Sequence, residues 1–231
     1  MKHSVYDYSY EMRQLRNKRI SFFLTLVVSI ILFLTLFLNL VLFPVWVRSE
    51  SMDPDIPKNS AVFVAPLLRT PKRGDVVYLS RLDDEKLSVP KSVINRISEF
   101  FTFQQFYPFG YTQRITGKPS LRRVVGLPGD TIYMKDYVLY VKPADQSLFL
   151  TEFEMAESSY NVHIYSVPVE WDNMGAAGNM SEYTLGEEEY FVLADNRTES
   201  SDSRLWGCIS PQRIKGKAVL EYFPFNKVRI F

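Results

Sequence analysis

The sequence predicts a mainly β fold: an antiparallel, β-rich domain preceded by one N-terminal transmembrane α-helix. Two observations predict this architecture. A long run near the N-terminus contains no charged residue, and short segments rich in Val, Tyr and Phe follow it, bounded by Gly, Pro and Asp. Helical segments do not alternate with these strands, which argues against a parallel α/β sheet.

Composition narrows the class of function. The chain has 231 residues and a formal net charge of +1, whereas a nucleic-acid-binding domain is normally distinctly basic. Cys208 is the single cysteine, so an internal disulfide and a cysteine-based zinc site are excluded. With only His3 and His163, a histidine metal site and a Ser-His-Asp triad are also disfavoured. We therefore expect no metal and no nucleic-acid partner.

The uncharged run extends from Ile20 to Val47. About 20 apolar residues span the bilayer core, so this run is long enough to cross it. A buried core helix is normally shorter, and a cleaved signal peptide has a shorter apolar region followed by a small-x-small cleavage pattern. The run therefore predicts a cytoplasmic tail over residues 1–19, a transmembrane helix over 20–47 and an outer domain over 48–231.

Charge on the two flanks predicts the orientation. Five basic residues stand against two acidic ones before the run: Lys2, Arg13, Arg16, Lys18 and Arg19 against Asp7 and Glu11. Positive flanks stay cytoplasmic, so residues 48–231 should lie on the extracytoplasmic side of the cell membrane. Trp46, at the far end of the run, suits an interfacial anchor.

Strand signals recur through the outer domain. They lie at residues 61–68, 75–80, 123–127, 131–142, 163–169, 189–194 and 217–223. The fourth contains Lys135 and Asp136 between two apolar runs, which is typical of a hairpin turn. We interpret residues 147–161 and 173–183 as surface loops and edges.

An aromatic segment interrupts the strand pattern. Apolar residues recur at helical spacing over residues 91–101, and aromatic residues crowd 100–111. Two interpretations remain open: a helix that packs on the β-core, or an aromatic surface that dips into the lipid interface.

Four segments carry the chemistry: RSESMDPDI (48–56), RGDVVYL (73–79), LRRVVGLPGDTIYM (121–134) and VLADNRTESSDSRLWG (192–207). Taken singly they are ordinary: a polar flank, strands with turns, and a polar loop that bonds to itself. In this order just beyond an apolar run, they resemble the type I signal peptidases, the bacterial leader peptidases. The ending GKAVLEYFPFNKV (216–228) is similar as well. The resemblance is slight over residues 81–120 and 143–188.

The resemblance implies a membrane-anchored serine endopeptidase that uses a Ser-Lys pair. Such an enzyme removes N-terminal signal peptides from exported preproteins after small residues of the A-x-A type. It implies no cofactor. The implied partners are signal peptides and the lipid bilayer, and the secretion translocon stays open as a further partner.

The same resemblance implies a role for each motif residue. Ser51 corresponds to the nucleophile, and the Ser49 hydroxyl joins the Ser51 backbone N–H in stabilising the oxyanion. Ser200 corresponds to the serine that hydrogen-bonds the catalytic lysine. The supporting network corresponds to Asp202 and Arg204, together with Asp195, Asn196 and Arg197 in the turn.

Two departures from the family pattern concern small residues. Glu50 stands between the two serines where a small residue is usual, so we expect a tighter or displaced oxyanion hole. Ala194 replaces a glycine, which alanine can do only where φ is negative.

The third departure is Arg122, which occupies the position of the general-base lysine. A guanidinium has a pKa well above 12, so its neutral fraction at pH 7 is on the order of one in a million. Arg122 should donate hydrogen bonds and accept protons poorly. In an extended strand Lys118 would lie about 13 Å from Arg122. No motif supports Lys91 or Lys135 as the general base.

A further substitute base is His163, since histidine serves in the endoplasmic-reticulum branch of the family. Two functions stay open: a signal peptidase, or a catalytically weak or inactive homologue that binds signal peptides or modulates a partner protease.

Overall fold

The chain divides into two units, Met1–Val41 and Leu42–Phe231. The computed structural model describes residues 5–80, 88–103, 106, 108–109, 120–164, 178–198 and 200–231. Lys118 and residues 165–169 of a predicted strand lie outside this part of the chain.

The first unit is built on helix α1, Val5–Leu40. Its apolar side chains between Ile20 and Phe33 are largely exposed. None of the helices in the described part of the chain has both the length and the apolar character needed to cross a membrane.

Helix α1 ends before Val47, where the sequence predicted its end. Residues Phe43–Trp46 instead form strand β1, which pairs antiparallel with Ala61–Ala65. Pro44 explains the difference, because proline has no N–H to donate and disfavours helical backbone at the residue before it.

In the described residues, seven strands form the larger sheet. They are β1 (Phe43–Trp46), β2 (Ala61–Ala65), β3 (Val76–Leu79), β4 (Ser120–Gly126), β9 (Phe191–Leu193), β10 (Ile214–Phe223) and β11 (Arg229–Ile230). The order is β1-β2-β10-β3-β4-β9, with β11 on β10, and every pair is antiparallel.

Four more described strands form a second antiparallel sheet in the order β7-β6-β5-β8. They are β5 (Thr131–Lys135), β6 (Val138–Lys142), β7 (Leu150–Thr151) and β8 (Met180–Thr184). The predicted hairpin within 131–142 is confirmed, but its turn lies one residue later than predicted: Lys135 belongs to β5, and the turn residues are Asp136 and Tyr137, whose φ values are 51° and 65°. The mainly antiparallel β class is likewise confirmed.

Strands β7 and β8 are the edge strands of the second sheet, and they lie in the two segments that the sequence analysis interpreted as surface loops and edges. Strand β8 is largely exposed and strand β7 has two residues, so neither buries the apolar face that makes a strand recognisable. Of the predicted strand over 163–169, the described residues 163–164 contribute an isolated bridge between His163 and Asn196.

The described part of the chain after β1 also contains three short or amphipathic α-helices: α2 (Val89–Phe101), α3 (Glu152–Met155) and α4 (Ser203–Trp206). Helix α2 matches the helical spacing seen in the sequence. Its Ile94, Ile97 and Phe101 side chains are 48%, 47% and 66% exposed, so these three residues do not pack in the β-core.

Strand β4 carries the central motif through the middle of the core. Leu121 packs with residues of β1, β2 and β3, while Val124 and Val125 pack in two further clusters shared with β5, β6 and β9. Burial on both sides fixes the strand, and a fixed strand positions functional side chains more sharply than a loop does.

Candidate active site

The turn after β1 presents the candidate nucleophile. Met52 and Ile56 are fully buried and anchor the turn, and the Ile56 N–H donates to the Met52 carbonyl at 2.7 Å. Ser51 between these anchors and the strand is half-buried, and Ser49 is exposed. The apolar anchors therefore hold the turn while its hydroxyl groups face outward.

Three groups contact Ser51. The Arg122 Nη1 donates to the Ser51 Oγ at 3.0 Å, and the Ser49 and Ser51 hydroxyl oxygens lie 2.9 Å apart. The Ser51 carbonyl accepts from the Asn196 N–H at 3.1 Å. The structure thus brings together residues from three of the four motifs: 48–56, 121–134 and 192–207.

The Arg122 side chain acts as a donor throughout. Its guanidinium donates to the carbonyls of Leu121 and Ser201 as well as to Ser51. Among the described residues, no carboxylate lies within salt-bridge distance of it. Burial lowers the pKa of Arg122 from its ordinary value to about 10, with Asp202 and Asp195 opposing the shift and Arg204 adding to it.

The next residue, Arg123, lies in a carboxylate-rich environment. It bonds Asp195 through two nitrogens at 2.8 and 2.6 Å, and Asp55 at 2.6 Å. Its guanidinium carbon lies 4.0 Å from the centre of the Tyr160 ring. Burial alone would lower the pKa of Arg123, but the two carboxylates raise it above its ordinary value.

The polar loop is organised around Asp202. Its carboxylate accepts from the Ala194 N–H at 3.1 Å and caps helix α4 by accepting from the Arg204 N–H. The Arg204 side chain bonds it through two nitrogens at 2.8 and 2.7 Å. Ser200 is buried, and the contact from this loop to Arg122 runs through the Ser201 carbonyl.

The two small-residue departures are accommodated. The Glu50 carboxylate points to solvent, where it pairs with the exposed Lys58 at 3.1 Å, so it does not fill the space beside the serines. Ala194 is fully buried and is not among the described residues with positive φ. The backbone at this position therefore accepts alanine in place of glycine.

A buried ion pair joins the RGD and LPGD motifs. Arg73 bonds Asp130 at 2.8 Å, and both side chains are buried. Gly129 has a φ of 83°, as a type II turn requires at the position after proline. The turn that follows β4 is thereby tied to the loop that precedes β3.

Among the substitute bases in the described residues, His163 lies beside the nucleophile turn. Its Nδ1 lies 3.4 Å from the Asp53 Oδ2, and its backbone bonds Asp195 and Arg197. The ring is partly exposed. The structure gives no hydrogen bond from His163 to Ser51.

The sequence analysis assigned Arg197 to the turn with Asp195 and Asn196, but it missed Glu152 and Tyr160, which support that residue. Arg197 bonds Glu152 through two nitrogens at 2.7 and 2.6 Å, with both side chains fully buried. The Tyr160 hydroxyl donates to the same carboxylate at 2.7 Å. Burial, followed by the Glu152 charge, raises the pKa of Tyr160, so its hydroxyl remains a donor.

One sequence signal could have located Glu152. Thr151 and Glu154 form a capping box at the start of α3, and the Thr-x-x-Glu pattern is recognisable in a sequence. The pairing of Arg229 with Asp55 at 2.7 Å has no such signal, because the two residues are distant along the chain.

The chain is similar to known signal peptidases over most of its length. The family model described as "Signal peptidase, peptidase S26" matches residues 19–223. Signal peptidase I of Bacillus licheniformis is 29% identical over 190 residues, covering 80% of this chain and 79% of the relative. Signal peptidase I T of Bacillus subtilis strain 168 is 31% identical over 160 residues, covering 68% of this chain and 74% of the relative.

A solved structure is also similar. The crystal structure of a signal peptidase I from Enterococcus faecalis V583 covers 65% of this chain and 97% of its own, at 19% identity and a TM-score of 0.32.

Proposed function

This chain belongs to the signal peptidase family of serine endopeptidases, and on that premise we propose that it removes N-terminal signal peptides from exported preproteins. The observation that carries the proposal is the contact of the Ser51 hydroxyl with both Ser49 and Arg122. A nucleophile beside an oxyanion donor and a basic side chain is the arrangement that Ser-Lys acyl transfer requires.

In the proposed reaction, Ser51 Oγ attacks the carbonyl carbon after a small residue of the A-x-A type. The Ser49 hydroxyl and the Ser51 N–H stabilise the oxyanion. The amide bond then breaks, the leaving amine takes a proton, and water hydrolyses the acyl-enzyme to a free carboxylate. The loop that faces Arg122 is held by five polar residues: Ser200, Asp202, Arg204, Asp195 and Asn196.

The Ser51 hydroxyl must pass its proton to a base. Arg122 can accept this proton only when its guanidinium is neutral. With a pKa of about 10, roughly one guanidinium in a thousand is neutral at pH 7. That fraction is far above the value for exposed arginine, yet small for a general base. We therefore expect slow cleavage at neutral pH that increases in alkaline solution.

The same observation favours a second candidate function. Arg122 is charged in nearly every molecule at pH 7 and donates to Ser51. A homologue with that arrangement binds signal peptides, or modulates a partner protease, without efficient turnover.

We further propose that the run from Ile20 anchors the chain in the cell membrane, with the N-terminus cytoplasmic. The absence of charge along the run and the basic residues before it support this orientation. Recovery of the full chain in the soluble fraction after alkaline carbonate extraction would contradict the anchor.

An aromatic surface supports the bilayer as a partner. Trp46, Phe103 and Phe106 line an open hollow together with Arg48 and Thr102. Trp46 also stacks on Phe223 at 5.5 Å between ring centres. Aromatic rings beside a cation suit the lipid–water interface. The secretion translocon is a further proposed partner, because it delivers preproteins to the same membrane face.

Cleavage of a model preprotein in detergent tests the proposal. The full chain is compared with Ser51→Ala and Arg122→Lys, and with the exposed controls Ser147→Ala and Arg69→Lys. Wild-type cleavage lost only in Ser51→Ala supports the peptidase. If the wild type does not cleave the preprotein but Arg122→Lys cleaves it strongly, the chain is the weak homologue. If neither protein cleaves it, the proposal that the chain is an endopeptidase is contradicted.

A further inference from the structure

Arg122 differs from the other buried arginines in what surrounds it. Four arginine side chains that are at most 7% exposed bond a carboxylate at 2.6 to 2.8 Å: Arg73 to Asp130, Arg123 to Asp195, Arg197 to Glu152 and Arg204 to Asp202. Arg122 is itself 7% exposed. In the part of the chain that the structure describes, its acceptors are two carbonyls and the Ser51 hydroxyl.

The nearby acids do not supply the missing counterion. Asp202 already holds Arg204, and Asp195 already holds Arg123. Removing a cation from water without a bonded anion is costly, and the cost is relieved when an anion arrives. The site is therefore built to gain from a negatively charged ligand.

The donors around Ser51 define the shape of that ligand. The Arg122 Nη1 lies 3.0 Å from the Ser51 Oγ, and the Ser49 Oγ lies 2.9 Å from it on the exposed side of the turn. The Arg122 Nε and Nη2 bond the Ser201 carbonyl, so the donors that face this point are the charged Nη1 and the two hydroxyl groups. A charged donor and a hydroxyl donor side by side suit a planar group with two oxygens. A carboxylate has that form, whereas an amide offers a single neutral oxygen.

We propose that this site binds the C-terminal carboxylate of a peptide, with one oxygen on Arg122 and the other on the Ser49 hydroxyl. The ligand class is a peptide that ends in small residues, which is the end that signal-peptide cleavage creates. The placement of the peptide rests on the proposed function, while the preference for a carboxylate rests on Arg122 itself.

Arg122 then discriminates between substrate and product. The uncut peptide presents a neutral amide at Ser51, and the cut peptide presents an anion. The chain retains the cleaved signal peptide, so the site acts as a receptor for peptide C-termini even where turnover is slow.

Calorimetry on the full chain in detergent at pH 7 tests the proposal. The probes are a short peptide ending in Ala-x-Ala as the free acid, the same peptide as the C-terminal amide, and acetate. We expect the acid to bind at least about 10-fold more tightly than the amide, and acetate to bind far more weakly than the peptide acid.

Variants assign the preference to the guanidinium. Arg122→Gln should bring the acid-to-amide ratio to about one, while the exposed control Arg69→Gln keeps the wild-type ratio. Equal binding of acid and amide by the wild type overturns the proposal, whatever the folding of the variant. A preference that persists in folded Arg122→Gln overturns it too, and acetate binding as tight as the peptide acid overturns the peptide ligand.

The same protein samples separate this inference from the endopeptidase. A strong acid preference without cleavage of a model preprotein leaves the carboxylate site and removes the endopeptidase. Cleavage with equal binding of acid and amide leaves the endopeptidase and removes the carboxylate site.

Discussion

The two faces of strand β4 hold neighbouring arginines in opposite electrostatic environments. Arg123 bonds the carboxylates of Asp195 and Asp55, and its pKa is raised. Arg122 bonds carbonyls and a hydroxyl, and its pKa is lowered to about 10. Successive side chains of a strand point to opposite faces, so one strand carries an ion-paired arginine on one face and, on the other, an arginine with no bonded carboxylate among the described residues.

The largest expected effect is on the Arg123 face. Asp195→Asn leaves Arg123 short of its main counterion in a buried site, so the free energy of unfolding should fall by about 3–5 kcal/mol. Chemical denaturation measures it. The exposed Asp145→Asn should stay within about 0.5 kcal/mol of wild type, and a loss below about 1 kcal/mol in Asp195→Asn would show that Arg123 is not a structural cation.

The next effect concerns the hydroxyl beside Ser51. Ser49→Ala, made in the Arg122→Lys background, removes an oxyanion donor and should lower the cleavage rate by about 10²- to 10³-fold. Rates on a model preprotein measure it, with Ser147→Ala as the matched exposed control. A loss of less than about threefold would remove Ser49 from the oxyanion role.

A smaller effect on the free energy of unfolding is expected when Arg122 is replaced by a neutral residue. Arg122→Met removes a buried charge that has no bonded carboxylate among the described residues. The free energy of unfolding should therefore stay within about 1 kcal/mol of wild type or increase. Denaturation curves run beside those of Asp195→Asn check this, and an equal loss in both variants would break the contrast between the two faces.

The smallest effect lies at the surface. Glu50 and Lys58 form a pair whose side chains are 60% and 51% exposed. Glu50→Ala should change the free energy of unfolding by less than about 1 kcal/mol and leave the cleavage rate nearly unchanged. A large rise in cleavage would restore the view that Glu50 obstructs the oxyanion hole.

Motif order predicted the centre of the site, and chain pattern predicted most of the sheets. The contact of Ser51 with Ser49 and Arg122 could be predicted because each of the three residues lies in a recognisable segment. Strand β4 could be recognised in the sequence because the side chains that it buries are largely apolar. The β5–β6 hairpin was visible for the same reason. Exposed β8 lacks an apolar face, so its residues could be interpreted from the sequence no more finely than as a surface loop or edge.

Long-range charge pairs could not be predicted from the sequence. Glu152 and Arg197 meet only because β6, α3 and the polar loop come together, and Asp55 meets Arg229, which lies 174 residues later in the chain. The electrostatic difference between Arg122 and Arg123 depends on such pairs. The sequence identified Arg122 as a poor base, but it did not reveal that burial lowers its pKa to about 10.

The pH dependence of wild-type cleavage tests the central claim most directly. Below a pKa of about 10, the neutral fraction of Arg122 rises about tenfold per pH unit. The rate should therefore climb with that slope from pH 7 and level off near pH 10, while Arg122→Lys levels off at lower pH. A wild-type rate that is already level at about pH 8, as a histidine base such as His163 would give, contradicts the account.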